Sequence, residues 1–198
     1  MKVIGITGPT GAGKSLFSDF LRGKGIPVID ADKLYHSLLV PPSSCLDALR
    51  GAFGDGVFLD SGELDRRALS EIVFHDSEKL ELLNRTVLGF VLDRARELLS
   101  GYEKDGEPMA AVDAPTLIES GFYRECHTVI SVLCPPDVRI GRIMSRDGLS
   151  EDAARARVSA QKDDGFYIER SDTVLTNDGD TESFLKRCEQ TLSELLEN

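Results

Sequence analysis

Residues 8–15, Gly8-Pro9-Thr10-Gly11-Ala12-Gly13-Lys14-Ser15, set three glycines, a lysine and a hydroxyl directly behind the first apolar run. The pattern G-x-x-x-x-G-K-[ST] is complete, with Gly8, Gly13, Lys14 and Ser15 at its fixed positions. Such a turn points backbone N–H groups inward, uncovered by side chains, and so makes a nest for phosphate oxygens. A helix starting at the same place adds its positive end. Lys14 then supplies a point charge for the outer phosphates and Ser15 a hydroxyl for Mg2+. A plain chain reversal also uses glycine, but it has no use for Lys14 and Ser15 behind the last one. The stretch predicts a nucleotide site.

Other residues with chemical potential fall behind strand-like segments, where ligands collect in open α/β sheets. "IDADK" places Asp30 and Asp32 after the second segment. A carboxylate there accepts the proton of an attacking hydroxyl or orients a metal-bound phosphate, or else Asp32 caps a helix starting at Lys33. "VDAPTLIES" ends the third segment, with Asp113 where an acid supports Mg2+ directly or through water, and with Glu119 facing either an acceptor or solvent. "DVRIGRIMSRD" repeats Arg139, Arg142 and Arg146 at spacings of three and four, one helical face. Either that face closes over the phosphates or it is a solvated stripe paired with acids. Arg66-Arg67 opens a helix and suits an anionic acceptor. Asn177 follows the fifth segment, where a base-contacting loop is expected; Asn177-Asp178-Gly179 is equally an ordinary turn.

The elements that must position these residues are legible as apolar periodicity. Strands are expected at residues 2–7, 26–30, 109–113, 127–134 and 172–176, with helices in most intervals, which implies a parallel α/β sheet. The interval 33–107 reads as a helical insertion with helices at 33–39, 44–53, 65–73 and 77–100, the last stopped by Gly101. Further helices are expected from Ser150 to about residue 163 and over 180–197.

A chain of 198 residues is one domain of ordinary size. Its net charge of -11 argues against non-specific binding to nucleic acid or to anionic membrane, so an anionic ligand needs a local basic cluster. The four cysteines show neither C-x-x-C pairs nor metal-ligand spacing and are expected to be reduced thiols. The first apolar run is too short for a signal peptide and no run is long enough for a membrane span, so a soluble cytoplasmic protein is expected.

The order of "GITGPTGAGKS", "IPVIDADK", "GELDRRAL", "VDAPTLIE", "RIMSRD", Gln161 and "SDTVLTNDG" resembles the dephospho-CoA kinase family over nearly the whole chain. The resemblance implies a single P-loop kinase domain with a five-stranded parallel sheet flanked by helices. Its core would cover about residues 1–32, 108–142 and 170–198, its helical acceptor-binding insertion 33–107 and its lid 143–169. It implies ATP and Mg2+ as cofactors and dephospho-CoA as the small-molecule partner, phosphorylated at its ribose 3'-hydroxyl, in a chain favoured to be a monomer. Gly8, Gly11, Ala12, Gly13, Lys14, Ser15 and Leu16 would hold ATP, with Asn177 beside the adenine. Asp32 would be the base, with Lys14, Arg142 and Arg146 serving transfer. Asp32, Arg66, Asp113 and Glu119 would meet the acceptor, and Ser15 and Asp113 the metal. The chain departs from the family at Leu16, where a threonine hydroxyl is usual, at Leu88-Gly89 in place of His-Pro, at Thr116 in place of leucine, and at Gly165-Phe166 where a basic lid residue is common. A related kinase for another small hydroxyl acceptor and a nucleotide-binding module without efficient transfer are the alternatives.

Overall fold

The structure, a computed structural model, describes residues 1–197. Five strands, β1 (Lys2–Thr7), β2 (Val28–Asp30), β3 (Met109–Asp113), β4 (Thr128–Leu133) and β5 (Thr173–Thr176), form one sheet in the order β2-β3-β1-β4-β5. β1 is central and pairs in parallel with β3 and β4, and β4 pairs in parallel with β5. Covered on both faces, β1 is buried from Val3 to Thr7, which is why it reads as an apolar run without alternation. Helices α1 (Lys14–Gly23) and α9 (Thr181–Glu197) close its core, where Phe17 and Leu21 meet Phe184 and Leu192 around Ile4, Ile6 and Ile130.

The chain divides into two compact units, one made of Met1–Ile29 with the chain from Tyr102 onward, the other of Asp30–Gly101. The second is helical: α2 (Ala31–Leu38), α3 (Ser44–Phe53), α4 (Arg66–Val73) and the long α5 (Ser77–Lys104), whose last turn enters the first unit. Its core joins Leu39, Cys45, Leu46 and Leu49 to Val87 and Val91 of α5, each such apolar side chain contributing about 1.5–3 kcal/mol on full burial. A smaller cluster gathers Val57, Leu69 and Val73.

Several boundaries differ from the sequence expectation, and three show a local cause. β2 begins at Val28 because the Ile26 N–H closes the end of α1 on the Leu21 carbonyl at 3.0 Å. Helix α5 passes through Gly101 and ends where Gly106 takes φ +84°, the left-handed residue that a helix stop requires. The helix expected over 150–163 is two: α7 (Glu151–Ser159), capped by Ser150, and α8 (Asp164–Ile168), started afresh by the Asp163 side chain accepting from Phe166 N. Between β4 and α7 runs α6 (Pro136–Asp147).

Candidate active site

The turn between β1 and α1 is shaped by its glycines. Gly8 has φ +133° and Gly13 φ +109°. A Cβ on Gly8 would lie 2.2 Å from the Val132 carbonyl oxygen, and one on Gly13 would lie 2.1 Å from Nδ2 of Asn177. No side chain therefore fits at either place. Gly13 is the N-cap of α1 and brings no side-chain hydrogen bond, and the first turn holds no acid, so the positive end of α1 meets no carboxylate of its own first turn. Lys14 Nζ lies along the loop, donating to the Gly8 carbonyl at 2.7 Å and the Pro9 carbonyl at 3.3 Å. Ser15 is exposed at the helix start and Leu16 half-buried behind it.

Asp113 lies at the end of β3 in register with Ile6, one residue before β1 ends at Thr7. Its Oδ2 accepts from the buried Ser18 hydroxyl at 2.7 Å, and Thr7 Oγ1 donates to the Pro115 carbonyl at 3.3 Å. One carboxylate is thus held at the mouth of the loop.

The arginine stripe of α6 divides into three different roles. Arg139 is 3% exposed and lies against the loop, with Nε donating to the Thr10 carbonyl at 3.0 Å and Nη2 to Gln161 Oε1. Burial pushes its guanidinium below the ordinary value, opposed by Asp164, Tyr167 and Cys134. Arg142 donates to the carbonyls of Gly11 and Ala12 at 3.3 Å each, and to the Asn177 carbonyl and Oδ1 at 3.3 and 3.2 Å. These acceptors are all neutral, so its charge faces the loop. Arg146 is exposed and pairs with Asp147 through two bonds of 2.7 and 2.9 Å, while Arg157 binds the same carboxylate at 2.6 Å. The hydrogen bond from Arg146 holds Asp147 below the usual carboxylate range. The two readings that the spacing left open fall on different residues: α6 buries Arg139, sets Arg142 against the loop and leaves Arg146 in solvent, paired with Asp147.

Asn177 is buried, its Nδ2 donating to the Ala12 carbonyl at 2.8 Å while Oδ1 receives Arg142. Both ends of its amide serve the loop, because β5 ends beside β4, which itself flanks the loop. It is a support of the loop. Cys134, also buried, lies 3.4 Å from Nη1 of Arg142. Burial raises its thiol while Arg142 and Arg139 oppose the rise.

In the helical unit, Asp32 is exposed in the first turn of α2, two residues beyond β2. The cap is Asp30, whose Oδ1 accepts from Lys33 N at 3.0 Å. Capping by Asp32 is thereby overturned, and its carboxylate is left to solvent. Arg66 is the exposed first residue of α4, behind the cap Asp65, while Arg67 pairs with Glu71 at 3.3 Å. Leu88 is half-buried in α5, and a Cβ on its exposed neighbour Gly89 would meet nothing within 4 Å, so no close backbone approach explains that glycine. Glu119 is exposed in the turn beyond β3 and helps to raise the Tyr167 phenol, for which burial is the larger cause.

Sequence reasoning missed Ser18 and the burial of Arg139. Neither has a local signature; only its place one turn into α1 marked Ser18 as a neighbour of the loop. The profile described as dephospho-CoA kinase matches residues 2–183. The chain belongs to the dephospho-CoA kinase family. It is similar to the dephospho-CoA kinase of Symbiobacterium thermophilum, 35% identical over 179 residues, which span 90% of this chain and 75% of that protein. Among solved structures, the dephospho-CoA kinase from Campylobacter jejuni superposes with a TM-score of 0.74 at 27% identity, covering 98% of each chain. A Thermus thermophilus protein reaches 0.81 at 35% identity, covering 98% of this chain and 97% of that one. As a dephospho-CoA kinase family member the chain is a nucleotide-using P-loop kinase. Among the described residues no helix is long and apolar enough to cross a membrane.

Proposed function

We propose that the chain transfers the γ-phosphoryl group of ATP to the ribose 3'-hydroxyl of dephospho-CoA, giving coenzyme A and ADP. One observation carries the reading: a complete phosphate-binding loop, held by Arg139, Arg142 and Asn177, with Asp113 at its mouth, in a chain matched to this family along residues 2–183. The loop N–H groups and the start of α1 bind the nucleotide phosphates, and Lys14 swings from the loop carbonyls to the outer ones. Asp32 takes the proton of the acceptor hydroxyl as its oxygen bonds to the γ-phosphorus. The bond from that phosphorus to the bridging oxygen breaks, and ADP leaves with the electron pair. Arg142, its charge unmatched by a carboxylate among its hydrogen-bond partners, offsets the charge gathering there.

Mg2+ suits the donors present, a hydroxyl at Ser15 and a carboxylate at Asp113 held by Ser18, since this ion takes few protein ligands and keeps water and phosphate oxygens. When bound it would neutralise phosphate charge. Arg66, at the start of α4, supplies a basic partner for the acceptor pyrophosphate. Leu16 brings no hydroxyl where one is usual, its N–H donating to the Gly13 carbonyl at 3.1 Å, and Leu88-Gly89 offers the acceptor no polar group. A weakened ATP affinity and a raised KM for dephospho-CoA follow. The protein acts in the cytoplasm, as a monomer.

The test is ADP release from Mg-ATP with dephospho-CoA, adenosine, shikimate or nucleoside monophosphates as acceptor. Dephospho-CoA is expected to give the highest kcat/KM. Turnover of another acceptor alone would discard the substrate, and silence with all of them would discard the kinase.

A further inference from the structure

Thr10 stands in the phosphate-binding loop, and both of its backbone polar groups are held by side chains far away in sequence. Its N–H donates to Gln161 Oε1 at 3.0 Å, and its carbonyl accepts from Arg139 Nε at 3.0 Å. Arg139 Nη2 donates to the same Gln161 oxygen. That oxygen has two lone pairs, and the two donors fill both. The peptide planes on either side of Thr10 are therefore fixed by a closed ring of three bonds, from α6 on one side and from the link between α7 and α8 on the other. The next residue, Gly11, packs directly on α6, for a Cβ there would lie 3.0 Å from the Arg139 carbonyl oxygen.

The chemistry of the ring is unusual in one respect. Arg139 is a buried guanidinium whose hydrogen bonds run to two neutral oxygens. A buried cation hydrogen-bonded only to neutral acceptors, with Asp164 attracting it through space alone, is costly to keep for folding alone, and it acquires a use where an anion arrives nearby. Its hydrogen bonds are charge-assisted, which makes them firm enough to hold the loop in one conformation.

We propose that Arg139 and Gln161 are positioning residues for the phosphate-binding loop: together they preset the peptide planes around Thr10, and so tune nucleotide affinity without touching the acceptor. The inference rests on the loop being the ATP site, as read above. It assigns Gln161, in the segment expected as a lid, to nucleotide binding through the loop.

The experiment uses ADP as probe, since binding then needs neither acceptor nor chemistry. Calorimetry on the parent, Gln161→Met, Arg139→Met and the double variant is followed by kcat and both KM values, with Tm measured free of nucleotide. Gln161→Met is expected to weaken ADP binding and raise KM for ATP about fivefold to tenfold, the loss of roughly one net hydrogen bond. KM for dephospho-CoA should stay within about twofold. Because Arg139 Nη2 donates to Gln161 Oε1, each single variant already breaks that shared bond, so the losses in the double variant should fall short of their sum. Unchanged ADP affinity, losses that add, or an equal rise in both KM values would overturn the proposal. If Arg139→Met fails to fold, the ADP affinity of Gln161→Met decides alone. A parent that does not bind ADP would instead overturn the nucleotide site itself, and is seen before any variant is made.

Discussion

Asp30 and Asp32 differ by two positions and do different work. Asp30 accepts from Lys33 N and caps α2, so Asp30→Ala should lower stability by about 1 kcal/mol, read from denaturant unfolding. Asp32 makes no cap, and its carboxylate is exposed. Asp32→Asn should therefore lower kcat by roughly two orders of magnitude, with Tm and ATP binding nearly unchanged. A drop in Tm with kcat preserved would return Asp32 to a structural role. Lys14→Ala should remove most transfer, since Lys14 is the point charge of the loop. Between the arginines, Arg142→Ala should cost far more kcat than Arg146→Ala, because the former faces the loop and the latter pairs in solvent with Asp147. Steady-state kinetics on both variants checks the order.

Helices and strands were legible because burial imposes a period, and α5 shows where that reading stops. Leu83, Val87 and Val91 of α5 pack into the apolar core of the helical unit. Gly101 looked like a stop but is accommodated inside the helix, since glycine ends a helix only where φ turns positive, and that happens at Gly106. Glycine at position 89 has open space around it, so Gly89→Ala should raise stability by about 0.5–1 kcal/mol through the unfolded chain and helix propensity. Denaturant melts of the two proteins decide it. The split between α7 and α8 was invisible to periodicity, because the new start is a single side-chain hydrogen bond at Asp163.

Across the whole molecule, the part of the site that could be read directly was contiguous in the chain: the phosphate-binding loop carries its own chemistry in eight residues. The supports could not be read, because Ser18, Arg139, Gln161 and Asn177 converge from four segments only when the parallel sheet brings strand ends together. The arginine spacing foretold a shared face but not that the helix would turn Arg139 under the loop. The thiols follow the same logic of burial. Cys126 and Cys188 are pushed up to about 12, by burial above all, from an ordinary value of 9.0. In the folded chain they stay protonated as pH rises past 9.0, whereas the unfolded chain ionises them. Their contribution to stability is thus complete below that pH and declines above it. Unfolding free energies at two alkaline pH values should fall in that order, and alkylation at neutral pH should be slow for the native protein and complete for the four thiols after unfolding.

The central claim, phosphoryl transfer from ATP to the ribose 3'-hydroxyl of dephospho-CoA, is tested most directly by isolating the product. Purified protein is incubated with Mg-ATP and dephospho-CoA, and the new species is located by mass spectrometry and phosphorus NMR. A product one phosphate heavier, with the phosphate on the ribose 3'-oxygen and an equal amount of ADP, is the predicted result. ADP formed without phosphorylated acceptor, or phosphate placed elsewhere on the molecule, would contradict it.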